Sequence, residues 1–73
     1  MKKEDFFRKL IDELELEESE INENSPLTIN SLKSMILISF LDEHFGLRVK
    51  STDLQGIDSV SKLISLIGED KLE

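Results

Sequence analysis

The sequence lacks most of the side chains from which small domains build a covalent framework or a reactive centre. Its 73 residues contain no cysteine, tryptophan or tyrosine, and only one histidine, His44. The absence of cysteine excludes a disulfide scaffold, a thiolate metal site and a cysteine nucleophile. One histidine without cysteine also argues against a transition-metal cluster. The length fits a single domain over residues 1–73 with a small aliphatic core.

Positive charge is also scarce. Sixteen acidic residues stand against nine basic ones, which gives a formal net charge of −7. Nucleic acid is therefore not expected as a partner, because its phosphates would be repelled. The longest apolar run, Met35 to Ile38, is too short to span a bilayer, and the acidic Glu4 and Asp5 near the start are unlike a secretory signal. We expect a cytoplasmic protein whose partners are other proteins.

The first half of the chain predicts one helix and one long connection. The first segment runs from Lys3 to about Leu16, and no glycine or proline interrupts it. Its apolar stripe at helical spacing is predicted to be Phe7, Leu10, Ile11 and Leu14. The stretch from Glu17 to Asn30 is acidic and then rich in turn residues, and it holds the only proline, Pro26. Three apolar residues are expected to hold this connection against the core: Ile21, Leu27 and Ile29.

Three further helical segments follow, and each ends at a glycine: Gly46, Gly56 and Gly68. The longest segment, Ser31–Phe45, begins after Asn30, which is a good N-cap. A short turn is predicted at Ser51–Gln55, and the last helix is expected to begin at an Asp58–Ser59 cap. The fold class is therefore all-α, a small four-helix bundle with three main helices and one short one. The tail from 69 to 73 is expected to fray.

Residues able to catalyse a reaction are few and poorly placed. His44 would need a serine within hydrogen-bond reach, but Ser31 lies at the other end of the same predicted helix, roughly 20 Å away. Seven carboxylates fall between Asp12 and Glu23 with no base among them, as is typical of a solvated acidic face. Calcium-loop and phosphate-loop patterns are absent. The sequence predicts no catalytic residue and no metal ligand, with His44 as a cation near a helix C-terminus.

The second helix carries more apolar surface than one core face requires. Leu37, Ile38, Leu41 and Phe45 form one stripe, and further apolar residues lie beyond it: Leu32, Met35, Ile36 and Phe40. Such a helix is either deeply buried or presents a binding face.

Asn30–Ser31–Leu32 opens the second predicted helix, and Phe45–Gly46–Leu47 follows at its end, with Phe45 fourteen residues after the serine. Over residues 27–67 this pattern resembles the acyl carrier protein family without a gap. That family has an Asp-Ser-Leu motif at the start of its second helix and Phe-Gly-Ile or Phe-Gly-Leu at its end. Asp58–Ser59–Val60 looks closer to the motif, but only a short helix and no Phe-Gly follow it, so Ser59 is expected to be a cap.

This resemblance implies a fold of acyl-carrier type and a carrier function. Ser31 would bear 4′-phosphopantetheine, donated from coenzyme A by a phosphopantetheinyl transferase, and the arm would hold an acyl or aminoacyl cargo as a thioester. Other partners would be an acyl-loading ligase or acyltransferase and downstream synthase or transferase enzymes. The protein would be a free-standing monomer without a membrane span, in fatty-acid, polyketide, lipid or related biosynthesis.

The resemblance also implies two groups of supporting residues. Exposed side chains at the start of the second helix would contact partners: Asn30, Leu32, Lys33, Met35 and Ile36. Core side chains would line the space into which a cargo chain could tuck: Ile29, Leu37, Ile38, Phe40, Leu41, Val49, Ile57, Val60 and Ile64.

Two departures from the family pattern qualify this interpretation. Asn30 replaces the usual aspartate, which keeps the cap but removes a charge that the family's transferases are taken to contact. The second helix is also poor in acidic residues, with Ile36 at a position where an acid is common. Both departures suggest a specialised carrier with dedicated partners. The alternative is a carrier-like helical adaptor that is never modified, with Ser31 as an ordinary helix-start serine.

Overall fold

This computed structural model describes residues 1–72, which contain four α-helices and a closing 3-10 turn. The helices are α1 (Lys3–Glu13), α2 (Ser31–Phe45), α3 (Ser51–Leu54) and α4 (Val60–Ile67), and the 3-10 turn covers Glu69–Lys71. The prediction of a small all-α bundle with three main helices and one short one is confirmed. Within residues 1–72 there is no helix with the length and apolarity needed to cross a membrane.

Helix α1 ends at Glu13, three residues earlier than predicted, in a turn that needs no glycine. The Leu16 amide donates to the Ile11 carbonyl at 3.0 Å, and the Glu15 amide donates to the Asp12 carbonyl at 3.3 Å. These two bonds form a Schellman motif, which requires a left-handed residue at its centre. Glu15 takes that conformation with φ of 52°, at a backbone cost of roughly 1–2 kcal/mol for a residue with a Cβ.

Helix α2 ends in the related αL motif, in which a glycine supplies the left-handed residue, as predicted. Gly46 has φ of 66°, and its amide donates to the Asp42 carbonyl at 3.0 Å. The Leu47 amide reaches the Leu41 carbonyl at 3.2 Å. No atom lies within 4 Å of a Cβ built at Gly46, so only backbone conformation favours glycine there.

Thirteen buried apolar residues from all four helices and the connecting segments form one core: Phe6, Leu10, Leu14, Leu27, Leu37, Phe40, Leu41, Leu54, Val60, Leu63, Ile64, Ile67 and Leu72. Five of the residues predicted for the core are among them: Leu37, Phe40, Leu41, Val60 and Ile64. The other four are half-buried: Ile29, Ile38, Val49 and Ile57. The apolar stripe of α1 is also displaced from the predicted one, because Phe6 is fully buried while Phe7 and Ile11 are half-buried.

The long connection is fastened to the segment that precedes α4. The Leu27 amide donates to the Asp58 carbonyl and the Val60 amide donates to the Ser25 carbonyl, both at 2.9 Å, which makes an isolated antiparallel bridge. Leu27 is buried, so this apolar residue holds the connection to the core as predicted.

A second fastening joins the connection to α1. An exposed ion pair links the Lys3 ammonium to the Glu23 carboxylate. The hydrogen bond from Lys3 to Glu23, together with the Glu23 charge, raises the pKa of the Lys3 ammonium above its ordinary value.

The expectation of a frayed tail is wrong for residues 69–72. After the 3-10 turn, Leu72 returns to the core with 6% of its surface exposed. The Leu72 amide donates to the Glu69 carbonyl at 3.1 Å, and the Met1 ammonium donates to the Lys71 carbonyl at 3.4 Å. The last residue, Glu73, lies outside the described residues. Burial of Leu72 makes this tail part of the fold.

The two helix ends predict opposite effects of glycine. Glu15→Gly should stabilise the protein by roughly 0.5–1 kcal/mol because it relieves a left-handed residue, and Gly46→Ala should destabilise it by about 1 kcal/mol. A change of 1 kcal/mol shifts Tm by about 4–8 °C in a domain of this size. Thermal unfolding measures both, and Glu15→Ala is the control, since it removes the charge but keeps a Cβ. Equal Tm values for Glu15→Ala and Glu15→Gly would contradict the backbone explanation.

Truncation of Leu72 tests the packing of the tail. Leu72→Ala should lower the free energy of unfolding by about 2 kcal/mol, the low end for a buried leucine. Lys71→Ala, at the exposed neighbouring position, should stay within about 0.5 kcal/mol of the parent. Urea unfolding measures both free energies. If the two variants unfold at the same urea concentration as the parent, the tail does not pack as described.

Candidate functional site

Ser31 is the first residue of α2, and its position is set by the residue before it. The Asn30 side-chain oxygen accepts a hydrogen bond from the Lys33 amide at 2.8 Å, while the Asn30 carbonyl accepts one from the Ser34 amide at 2.8 Å. The predicted N-cap is thus confirmed. Ser31 is exposed. Its hydroxyl therefore stands at the surface on a helix start that is held by two hydrogen bonds.

The start of α2 is a favourable place for an anion, although the chain as a whole carries a net charge of −7. No acidic residue lies in the first turn of α2. The amides of the first helical residues, Ser31 and Leu32, have no carbonyl partner within the helix, and the helix dipole adds partial positive charge there. A phosphate ester on Ser31 would therefore be favoured electrostatically. Lys33, two residues further on, lines a different cleft with three glutamates and does not face Ser31.

An open cleft of about 620 Å³ lies beside Ser31, between the start of α2 and helix α3. Its lining is mixed: Ile29, Asn30, Ser31, Ser34, Met35, Ile38, Ser51 and Gln55. The apolar members could contact a methylene chain, and the hydroxyl and amide members could bond to amide groups. Ile29 and Ile38, two of the predicted core residues, are half-buried in this cleft, whereas Leu37 and Leu41 lie in the packed core.

The five predicted partner residues divide into two groups by exposure. Asn30, Leu32 and Met35 are exposed, and Leu32 and Met35 show 66% and 69% of their surface. The expectation that Lys33 and Ile36 are exposed is wrong, since both are half-buried.

The end of α1 and the segment that follows it explain this partial burial. Lys33 lines a cleft with Pro26, Thr28 and residues 15–18, which include three glutamates. Ile36 lines a separate cleft in which Glu13 of α1 takes part. A change at either position therefore affects packing as well as the surface.

Ser59 and His44 have the structural positions predicted for them. The Ser59 hydroxyl accepts a hydrogen bond from the Lys62 amide at 3.3 Å, as expected of the N-cap of α4. His44 lies in the last turn of α2, at the opposite end from Ser31, with its ring centroid 4.6 Å from that of Phe40. Across residues 1–72 no group of three histidine or carboxylate side chains is arranged to hold a metal ion.

The sequence interpretation missed several residues that complete the two clefts on α2. Ser39 and Glu43 follow Ile36 at helical spacing and line its cleft, so the periodicity could have identified them. Glu13, Ser51 and Gln55 lie on other helices or beside them, and no local pattern connects them to α2.

Comparisons of the chain with models of protein families, with curated proteins and with solved structures found no match.

Proposed function

We propose that this chain is a carrier protein of acyl-carrier type, with 4′-phosphopantetheine attached to the hydroxyl of Ser31. The observation that carries the proposal is the exposed serine at the first position of a capped 15-residue helix, with Phe45–Gly46 at the other end. A modifying enzyme needs such a hydroxyl at an accessible and well-held place. The open cleft beside Ser31 offers room for a flexible arm.

Each residue of the site has a defined part in this proposal. Ser31 supplies the attachment oxygen, and Asn30 holds the first turn in place through its cap. The free amides and the dipole of the helix start favour the negative charge of a phosphodiester. When bound, phosphopantetheine supplies a thiol that carries acyl cargo as a thioester. The protein itself catalyses no step of the chemistry in this proposal and presents the cargo to enzymes.

A carrier of this kind has three groups of partners: a phosphopantetheinyl transferase, an acyl-loading ligase or acyltransferase, and downstream synthase or transferase enzymes. In this proposal the carrier is a monomer in the cytoplasm. The cargo is an acyl or aminoacyl group of fatty-acid, polyketide, lipid or related biosynthesis. The scarcity of acidic residues on the outer side of α2 favours dedicated partners over those of general fatty-acid synthesis.

A second candidate function is a helical adaptor that binds proteins without being modified. The observation in its favour is the exposure of Leu32 and Met35, two large apolar residues on one helix. Both candidates use the same face of α2, so partner binding alone cannot separate them. Modification of Ser31 does.

The carrier proposal predicts a single modification at one serine. Incubation with coenzyme A and a broad-specificity phosphopantetheinyl transferase should add one phosphopantetheine, measured by intact mass. Ser31→Ala should abolish the addition, because it removes the only attachment oxygen. Ser59→Ala is the matched control, since it removes a helix-start serine from α4 and should leave the addition unchanged. Modification that persists in Ser31→Ala, or is absent from the parent, would contradict the carrier function.

The charge of the residue before Ser31 predicts the rate of that modification. Asn30→Asp keeps the cap geometry and adds a carboxylate that a basic transferase surface can contact. We expect loading by a fatty-acid-type transferase to rise about two- to fivefold, equivalent to about 0.5–1 kcal/mol, and the gain to shrink in high salt. Initial rates at two salt concentrations measure the effect. Asn30→Ser keeps a cap without charge and should give the parental rate. An unchanged or slower rate for Asn30→Asp at low salt would show that the missing charge is no handicap.

A further inference from the structure

The bridge between the connection and the start of α4 supplies a hydrogen bond that α4 cannot make by itself. Val60 is the first residue of α4, so its amide has no carbonyl partner within the helix. The side chain of Val60 is fully buried, and the amide donates to the Ser25 carbonyl at 2.9 Å. Without that bond a buried donor would be left unsatisfied. The start of α4 therefore depends on the connection.

The same bridge holds the connection shortly before α2 begins. The Leu27 amide donates to the Asp58 carbonyl at 2.9 Å, and in the described chain this is the last backbone hydrogen bond before the Asn30 cap. Ser25 is also held from the other side, because its hydroxyl accepts a hydrogen bond from the Asn22 amide at 2.9 Å. The backbone of the connection is therefore fixed up to Leu27, just before α2.

Core packing does not hold the first turn of α2. Asn30, Ser31 and Leu32 are exposed, and the first buried residue of this helix is Leu37. A helix end without buried contacts frays at a low cost in free energy. The position of Ser31 therefore depends on the cap and on the chain that leads into it.

The Asn30 cap itself depends on the conformation of that chain. Asn30 has an extended backbone, with φ of −91° and ψ of −176°. Its side chain accepts from the Lys33 amide because an N-cap residue has this non-helical conformation. A connection released from α4 would give Asn30 other conformations, in which the cap is lost. The bridge thus supports the cap from outside the helix.

We propose that the bridge positions Ser31 for modification, with Ser25 and Val60 as positioning residues that act through a backbone carbonyl and a backbone amide. Loss of the bridge leaves the body of α2 in the core but lowers the fraction of chains in which its first turn is ordered. An enzyme that modifies only the ordered turn then binds the chain more weakly by that fraction. The inference rests on the proposed function, because it concerns the modification of Ser31.

Val60→Pro removes the bridging amide and leaves α4 otherwise able to form. Proline is favoured at the first position of a helix. It requires an extended residue before it, and Ser59 is extended, with φ of −151° and ψ of 159°. Val60→Ala is the matched control, because it also changes the buried side chain but keeps the amide hydrogen. Leu72→Ala controls for a loss of stability elsewhere in the core.

The first measurement is amide hydrogen exchange of the unmodified, isotope-labelled chain by NMR. The amides of Lys33 and Ser34 report on the first turn, because both bond to Asn30. In Val60→Pro they should exchange about three- to tenfold faster than in the parent, the factor expected of one hydrogen bond. In Val60→Ala and Leu72→Ala they should exchange as in the parent.

The second measurement is loading with coenzyme A and a broad-specificity phosphopantetheinyl transferase. For Val60→Pro the KM for the carrier should rise about three- to tenfold with kcat unchanged, because the enzyme acts on the same ordered turn at a lower population. Val60→Ala, Leu72→Ala and Ser59→Ala keep both backbone bonds of the bridge and should load as the parent does.

A disulfide provides a rescue of the bridge. Pro26 and Ser59 lie opposite each other between the two hydrogen bonds. The Cα atoms of such an antiparallel pair are about 4.5 Å apart, within the range of disulfides, and the chain has no cysteine of its own. When Pro26→Cys and Ser59→Cys are added to Val60→Pro, oxidation should return exchange and KM toward the parental values, and reduction should reverse the rescue. If Val60→Pro does not fold, the two cysteine substitutions serve alone, and oxidation should slow the exchange of Lys33 and Ser34.

Several outcomes would overturn this role of the bridge. They are parental exchange and loading in Val60→Pro, equal losses in Val60→Pro and Val60→Ala, and faster exchange without a change in loading. Cysteine variants with the same exchange in both redox states would also contradict it. A parent chain that is never loaded would instead refute the carrier function, whereas a loaded parent with any of the outcomes above would refute the positioning role alone.

Discussion

The burial of Phe6 against α2 is the contact on which the rest of the structure depends. Its ring is fully buried, with centroids 6.1 Å from Phe40 and 6.0 Å from Phe45. Burial of one such side chain contributes about 1.5–3 kcal/mol, and aromatic pairs add about 0.5–1.5 kcal/mol each. This contact fixes which side of α2 faces inward. The opposite side is consequently turned to solvent, although two of its residues, Leu32 and Met35, are as apolar as those of the core.

The start of α2 depends on a different kind of contact. The long connection would leave this helix end free to move if it were held only by its apolar residues. Backbone hydrogen bonds from Leu27 and Ser25 to the start of α4 and the segment before it restrain the connection a few residues before Ser31. The Asn30 cap then sets the first turn of the helix. The exposed Ser31 therefore lies on backbone that is held by the bridge before it and by the Asn30 cap.

Met35 lies between two neighbouring clefts on α2 and lines both of them. It lines the mixed cleft beside Ser31 and also the apolar cleft between α1 and α2. Methionine adapts its shape easily because its side chain is unbranched and flexible. A group bound in one cleft would therefore contact a residue that also lines the other. The two clefts are neighbouring but separate surfaces of one helix.

Much of the fold follows from signals that lie within a few residues of each other. The cap at Asn30 and the glycine at Gly46 bound α2 at both ends as predicted, and Ser59 begins α4 in the same way. Ser31 as the candidate attachment point follows from this local pattern together with the spacing to Phe45–Gly46. Such features need no tertiary information, because a cap or a left-handed glycine acts on its own helix.

Other features required the packed structure. Phe6 and Phe7 are identical side chains next to each other in sequence, and only the position of α2 determines that Phe6 is the buried one. The left-handed Glu15 ends α1 without a glycine, and Leu72 packs into the core from a polar tail that looked unstructured. Glu13 lines the outer cleft of α2 only because the end of α1 lies beside that helix. The sequence alone determined where helices begin and which serine heads the longest of them, since those signals are local. Tertiary structure alone decided which apolar side chains are left exposed, because that depends on which helix faces cover one another.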